Sequence, residues 1–171
     1  MAIGLLILRL VFGITMAAHG SQKLFGWFGG GGIAGTAPFM EQLGFRPGRL
    51  HAALAGLSEA GGGLMLALGF LTPFAAAMIV SVMLVATVAV HLAKGFFLQN
   101  GGYEYPLALA TGALAVAFIG PGGMSLDAAL GIDWSGNGWG LTALVLAVVG
   151  GTAQLLTRTR QPVQAPAHQA S

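Results

Sequence analysis

Long apolar stretches broken by short polar ones run the length of the chain. A helix needs about twenty mainly apolar residues to cross a bilayer core. Five runs fit that length: 3–25, 50–70, 73–95, 103–119 and 138–156. Only Leu71, Thr72 and Pro73 join the second run to the third, which predicts a tight antiparallel hairpin. Pro73 suits the first turn of the later helix, where its missing N–H is not needed. The first run has no basic segment before it and is interrupted by Arg9, so it reads as a retained span rather than a secretion signal.

The connections carry patterns of their own. TAPFMEQLGF reads as a short interfacial helix capped by Thr36, with Phe39, Met40 and Leu43 on its apolar side and Gly44 ending it. SLDAAL reads as another, with Ser125 as its cap. From Thr157 onward TRTRQPVQAPAHQAS has no apolar periodicity, and 157–171 is expected to be a disordered cytoplasmic tail. GGGIAG formally satisfies the glycine spacing of dinucleotide-binding loops, but the fold that uses it needs a strand before it. Here an apolar helix precedes it, and a flexible linker explains the run.

Composition agrees with the pattern. Of 171 residues, 56% are hydrophobic and 7% charged, whereas soluble domains carry roughly a quarter charged residues. The mean hydropathy is +0.81. The fold class expected is an all-α polytopic membrane helical bundle, with the lipid bilayer as solvent. A net charge of +2 without a basic stripe argues against nucleic acid as a partner. With no cysteine, the chain cannot hold an iron–sulfur cluster by thiolates or cycle a disulfide of its own.

Five spans place Lys23, Arg46, Arg49, Lys94, Arg158 and Arg160 on one side of the membrane and Asp127 and Asp133 on the other. The positive-inside rule then predicts a cell-membrane protein with its N-terminus outside and its C-terminus in the cytoplasm. Trp27 on one side, and Trp134 and Trp139 on the other, fall where aromatic belts belong.

Among the ionisable groups in or at the ends of the first four spans are Arg9, His19, Lys23, Glu59, His91 and Glu104. An intramembrane charge costs about 2.5–3.5 kcal/mol on insertion scales, so such groups face the bundle interior and pair. At about 100° per residue, Arg9, His19 and Lys23 share one sector of the first helix. The expectation is a polar cavity open toward the cytoplasm, with Glu59 at its floor and Arg9 approaching from the other side. Glu59 is then either a proton-accepting or ligand-binding group, or half of a structural ion pair with Arg9. The small residues around it (Gly56, Ser58, Ala60, Gly61, Gly62 and Gly63) leave room for a ligand head group or let a helix approach. His19 and His91 suit proton relay or ligand contact, structural hydrogen bonding, or a metal or haem, though nothing in their spacing demands a metal. Lys23 and Lys94 suit snorkelling anchors.

The segments RLVFGITMAAHGSQKLFGW, GLSEAGGGLMLALGFLTPFAA, HLAKGFF, NGGYEYP and PGGMSLD occur in that order. In this ordered set the chain resembles the DoxX family of small membrane proteins. The resemblance implies a four-helix transmembrane bundle over 1–130, leaving 138–156 as an additional helix. It carries the family's polar pattern onto Arg9, His19, Lys23, Glu59, His91, Glu104 and Asp127. It also implies redox physiology, because relatives include quinone-reducing oxidoreductase subunits and associates of thiol and oxidative-stress enzymes.

Two readings of function follow. In the first, the bundle binds a quinone or similar amphipathic molecule and works with a partner oxidoreductase. Glu59, His19 and His91 handle protons, and Arg9, Lys23 and Glu104 hold the ligand. In the second, the chain is a non-enzymatic membrane scaffold or a small lipid or ligand carrier.

Overall fold

The computed structural model describes residues 2–159. All five expected spans are helices: α1 (Ala2–Phe25), α3 (Gly48–Leu68), α4 (Thr72–Ala86), α5 (Glu104–Ile119) and α7 (Gly136–Leu156). Two shorter helices, α2 (Gly32–Gln42) and α6 (Leu126–Ala129), lie in the connections. No strand occurs among the described residues. By length and composition α1, the continuous stretch Thr72–Lys94 and α7 can cross a membrane, while α5 is a shorter apolar helix. Although 21 residues long, α3 carries His51, Ser58 and Glu59 on faces turned away from lipid. Packing therefore takes the place of overall hydropathy in holding it inside the bundle.

The tightest pairing is α1 against α3, antiparallel and built on glycine. A Cβ placed on Gly20 would lie 2.2 Å from the backbone N of Ala60, and one on Gly63 would lie 2.4 Å from the backbone N of Ala17. Backbones this close admit no side chain, which is how small residues drive helix association in lipid. The small residues near Glu59 are thus mostly spent on packing: Gly56 and Gly63 meet α1, and Gly62 meets Met78 of α4. Helix α4 is the hub of the other half, packing on α3, α5 and α7. Its core is small and apolar, with Ala75, Ala76, Ile79, Ala113 and Ala143 fully buried.

Several expectations about the connections hold. The α3–α4 hairpin turns at Leu71, with Pro73 in the first turn of α4. The Ser125 side chain accepts from the Ala128 N–H at 3.1 Å, capping α6. Two need correction. Helix α2 begins at Gly32 rather than at Thr36, which lies inside it; the glycine run expected to be a linker supplies its first turn. The tail expected to be disordered from Thr157 is held over its first residues, where the Thr159 N–H donates to the Gly44 carbonyl at 2.9 Å and the Arg158 guanidinium donates to the Leu43 carbonyl. The rest of that tail, 160–171, lies outside the described residues.

Candidate functional site

The ionisable residues of the spans separate into three places. Lys23 of α1 and Glu59 of α3 form a salt bridge, with Glu59 only 3% exposed. The partner of Glu59 is therefore Lys23 and not Arg9. Glycine contacts set this pairing: with Gly20 against Ala60, Lys23 sits one turn further along and its long stem carries the ammonium to the acid.

Arg9 is buried at the other end of the bundle, where its Nη2 donates to the Met124 carbonyl and its Nε and Nη1 have no partner among the described residues. The α3–α4 turn fits around the guanidinium, since a Cβ on Gly69 would fall 1.6 Å from Nη1. The nearby Asp127 carboxylate accepts from the Leu71 N–H (2.7 Å), the Thr72 N–H (3.0 Å) and the Thr72 hydroxyl (2.7 Å). It thereby caps the N-terminus of α4, where a negative charge meets the helix dipole. The Asp127 N–H donates in turn to the Gly69 carbonyl at 2.9 Å.

His19 and Glu104 occupy the third place, outside any shared cavity. His19 Nε2 lies 3.1 Å from the Tyr105 hydroxyl, with the two rings edge to face. Glu104 accepts from the Leu98 N–H at 2.9 Å and orders the loop before α5. The common sector of Arg9, His19 and Lys23 thus serves three different neighbours, because a helix 24 residues long passes several partners along its length.

Lys23, Glu59 and His91 do come together, around a cavity of about 360 Å³ between α2, α3, α4 and α7. Its remaining surface is mainly apolar, including Met40, Leu54, Val82 and Val85. His91 enters because the chain departs from α-helical winding over Thr87–His91, where it forms a π turn. Such bulges recur at functional sites, and here the extra residue shifts the phase of everything after it. The His91 Nδ1 lies 2.7 Å from the Gly101 carbonyl; a carbonyl only accepts, so Nδ1 donates, and among the described residues Nε2 makes no hydrogen bond. Lys23 has two further N–H donors beyond the one given to Glu59. Among the described residues, Glu59 Oε1 receives no hydrogen bond, and the residue lines the cavity. Donors and acceptors are both available to a polar head inside an apolar shell.

Two cavity-lining residues, His51 and Gln154, went unread in the sequence. His51, 5% exposed, takes a hydrogen bond on Nδ1 from the Gln154 amide at 2.6 Å, while its Nε2 stands 3.3 Å from the Arg46 carbonyl. Gln154 belongs to α7, so the helix that the resemblance left unexplained supplies part of the cavity wall. The available signal was a histidine in the first turn of its span and a glutamine in the last turn of its own. Among the described residues no three acidic, histidine or cysteine side chains converge on a point that suits a metal.

The sequence model of the DoxX family matches residues 4–92. The chain belongs to the DoxX family. It is also 32% identical over 138 residues to the inner membrane protein YqjF of Escherichia coli (strain K12), covering 77% of this chain and 95% of that protein. No solved structure matches the chain. This DoxX protein is an integral membrane protein, and its family match ends at Leu92, immediately after the π turn that brings His91 into the cavity. The Gln154 wall lies beyond it.

Proposed function

We propose that this DoxX protein binds a quinone or a similar amphipathic molecule in the cavity and works with a partner oxidoreductase. The observation that carries the reading is the Lys23–Glu59 pair inside a mainly apolar cavity of about 360 Å³. An apolar enclosure with a few convergent polar groups is the usual form of a small-molecule site. Lys23 offers N–H donors to a carbonyl oxygen of the head group. Glu59 and His91 accept and deliver protons beside it. Reduction of a quinone to a quinol takes two electrons and two protons; in this reading the partner supplies the electrons and these side chains pass the protons. Arg9, His19 and Glu104 stand apart from the cavity and do not contact the ligand.

The charge distribution supports an orientation with the N-terminus outside and the C-terminus in the cytoplasm, so the Lys23 end of the bundle faces the cytoplasm. The test of function is quinone reduction in membrane vesicles. Glu59→Gln is expected to depress the rate and the amount of quinone that copurifies, and unchanged values of both remove the proposal.

A second reading, a non-enzymatic scaffold or lipid carrier, is favoured by the bridging geometry of the same groups. Lys23–Glu59 ties α1 to α3, and His51–Gln154 ties α3 to α7. Native lipid copurifying in place of quinone, with no dependence of any redox rate on Glu59, supports it.

A further inference from the structure

We propose that the cavity opens sideways into the hydrocarbon core of the bilayer, through a portal between α3 and α7, and admits a membrane-dissolved amphiphile with a single flexible apolar chain. The inference rests on the cavity being a ligand site. It adds where the ligand enters and which part of it must be apolar.

Helices α3 and α7 both pack on α4 but make no extensive contact with each other. Between them lies a crevice with α4 as its floor, and the cavity occupies it. Leu54 of α3, 44% exposed, and Gly150 of α7, also exposed, line the cavity from opposite walls. Each lies six residues from the end of its helix on the side where His51 meets Gln154. At about 1.5 Å per residue, that places both roughly 9 Å inside the ends of the helices. Helices of 21 residues span about 30 Å, the thickness of the hydrocarbon core. The opening therefore meets acyl chains, not head groups or water.

The same crevice is closed toward the membrane surface. His51 and Gln154 bridge it nearer the helix ends, and the Arg158 and Thr159 contacts to Leu43 and Gly44 tie the end of α7 to α2 just beyond. An amphiphile entering from the side would send its polar head inward toward Lys23 and Glu59 and leave its chain in the portal. A Cβ on Gly150 would sit 3.2 Å from Ser81 Oγ, which also lines the cavity, so a larger side chain there takes up space between α7 and α4.

The test uses the full chain in lipid vesicles with two photoreactive probes that carry a diazirine on the apolar chain, a long-chain benzoquinone and a single-chain fatty acid. Cross-links are mapped by mass spectrometry. They are expected to concentrate on Leu54 and on α7 around Gly150, and to be lost in Gly150→Leu and, from the opposite wall, in Leu54→Trp. Thermal unfolding of each variant confirms folding, and the two substitutions lie on different helices, so one failing to fold leaves the other. Cross-links spread evenly over the lipid-facing surface, or a yield unchanged in the folded variants, overturn the portal. Portal cross-links from the fatty acid without any from the benzoquinone support the portal and remove quinone as the ligand.

Discussion

Two carboxylates are buried in this apolar bundle, Asp127 fully and Glu59 to within 3% of full burial, and they live in opposite circumstances. Asp127 accepts three hydrogen bonds from a single turn, two of them from backbone N–H groups that the capped helix must satisfy somewhere. Glu59 accepts from one flexible lysine and faces open space. With both oxygens engaged by the first turn of α4, the Asp127 carboxylate serves as a clasp between α4 and α6. An acid with an open oxygen beside a half-committed ammonium can exchange partners. Burial alone does not separate structure from function in a membrane; the number of bonds left open does.

Removing Asp127 should be the most damaging change. Asp127→Ala strands the Leu71 and Thr72 N–H groups, the Thr72 hydroxyl and the nearby Arg9 charge, an expected loss of about 3–5 kcal/mol seen as lowered thermal stability and yield in detergent. Arg9→Met should cost less, about 1–3 kcal/mol, because Asp127 keeps all three donors and the unpartnered Nε and Nη1 disappear with the guanidinium. If Arg9→Met proves the more harmful of the two, Asp127 is not the clasp. Gln154→Leu removes one hydrogen bond from His51 and should cost about 1 kcal/mol in the same assay. Glu59→Gln should change stability least, by less than about 1 kcal/mol, since Gln still accepts from Lys23 and Lys23 reaches the surface. Its effect should appear instead in retained ligand, measured by mass spectrometry of the purified protein. A collapse in stability with ligand content unchanged reverses the roles assigned to the two acids.

Much of the bundle was legible in the chain. Apolar run lengths set the five helices, the three-residue link at Leu71–Pro73 set the α3–α4 hairpin, and Ser125 marked the cap of α6. Glu59 stood out as an interior acid because its neighbours on the N-terminal side are uncharged. Its partner did not. Helical phase puts Arg9 and Lys23 on the same side of α1, and either could have met it; the choice was made by which glycines touch. Gly20 against Ala60 and Gly13 against Ala67 set the sliding register of α1 on α3, and that register brings Lys23 rather than Arg9 to Glu59.

His91, His51 and Gln154 show where one-dimensional reasoning stops. A phase of 100° per residue fails across Thr87–His91, because a π turn inserts a residue that no local pattern announces. His51 and Gln154 are separated by 103 positions, and their meeting depends on α7 folding back along α4. The sequence by itself determined that the chain is helical, membrane-embedded and possessed of buried charge, since the cost of exposing such groups to hydrocarbon allows little else. Only the tertiary structure decided which charges meet and which remain open, because pairing depends on the register and angle of whole helices, and those are set by contacts far apart in the chain.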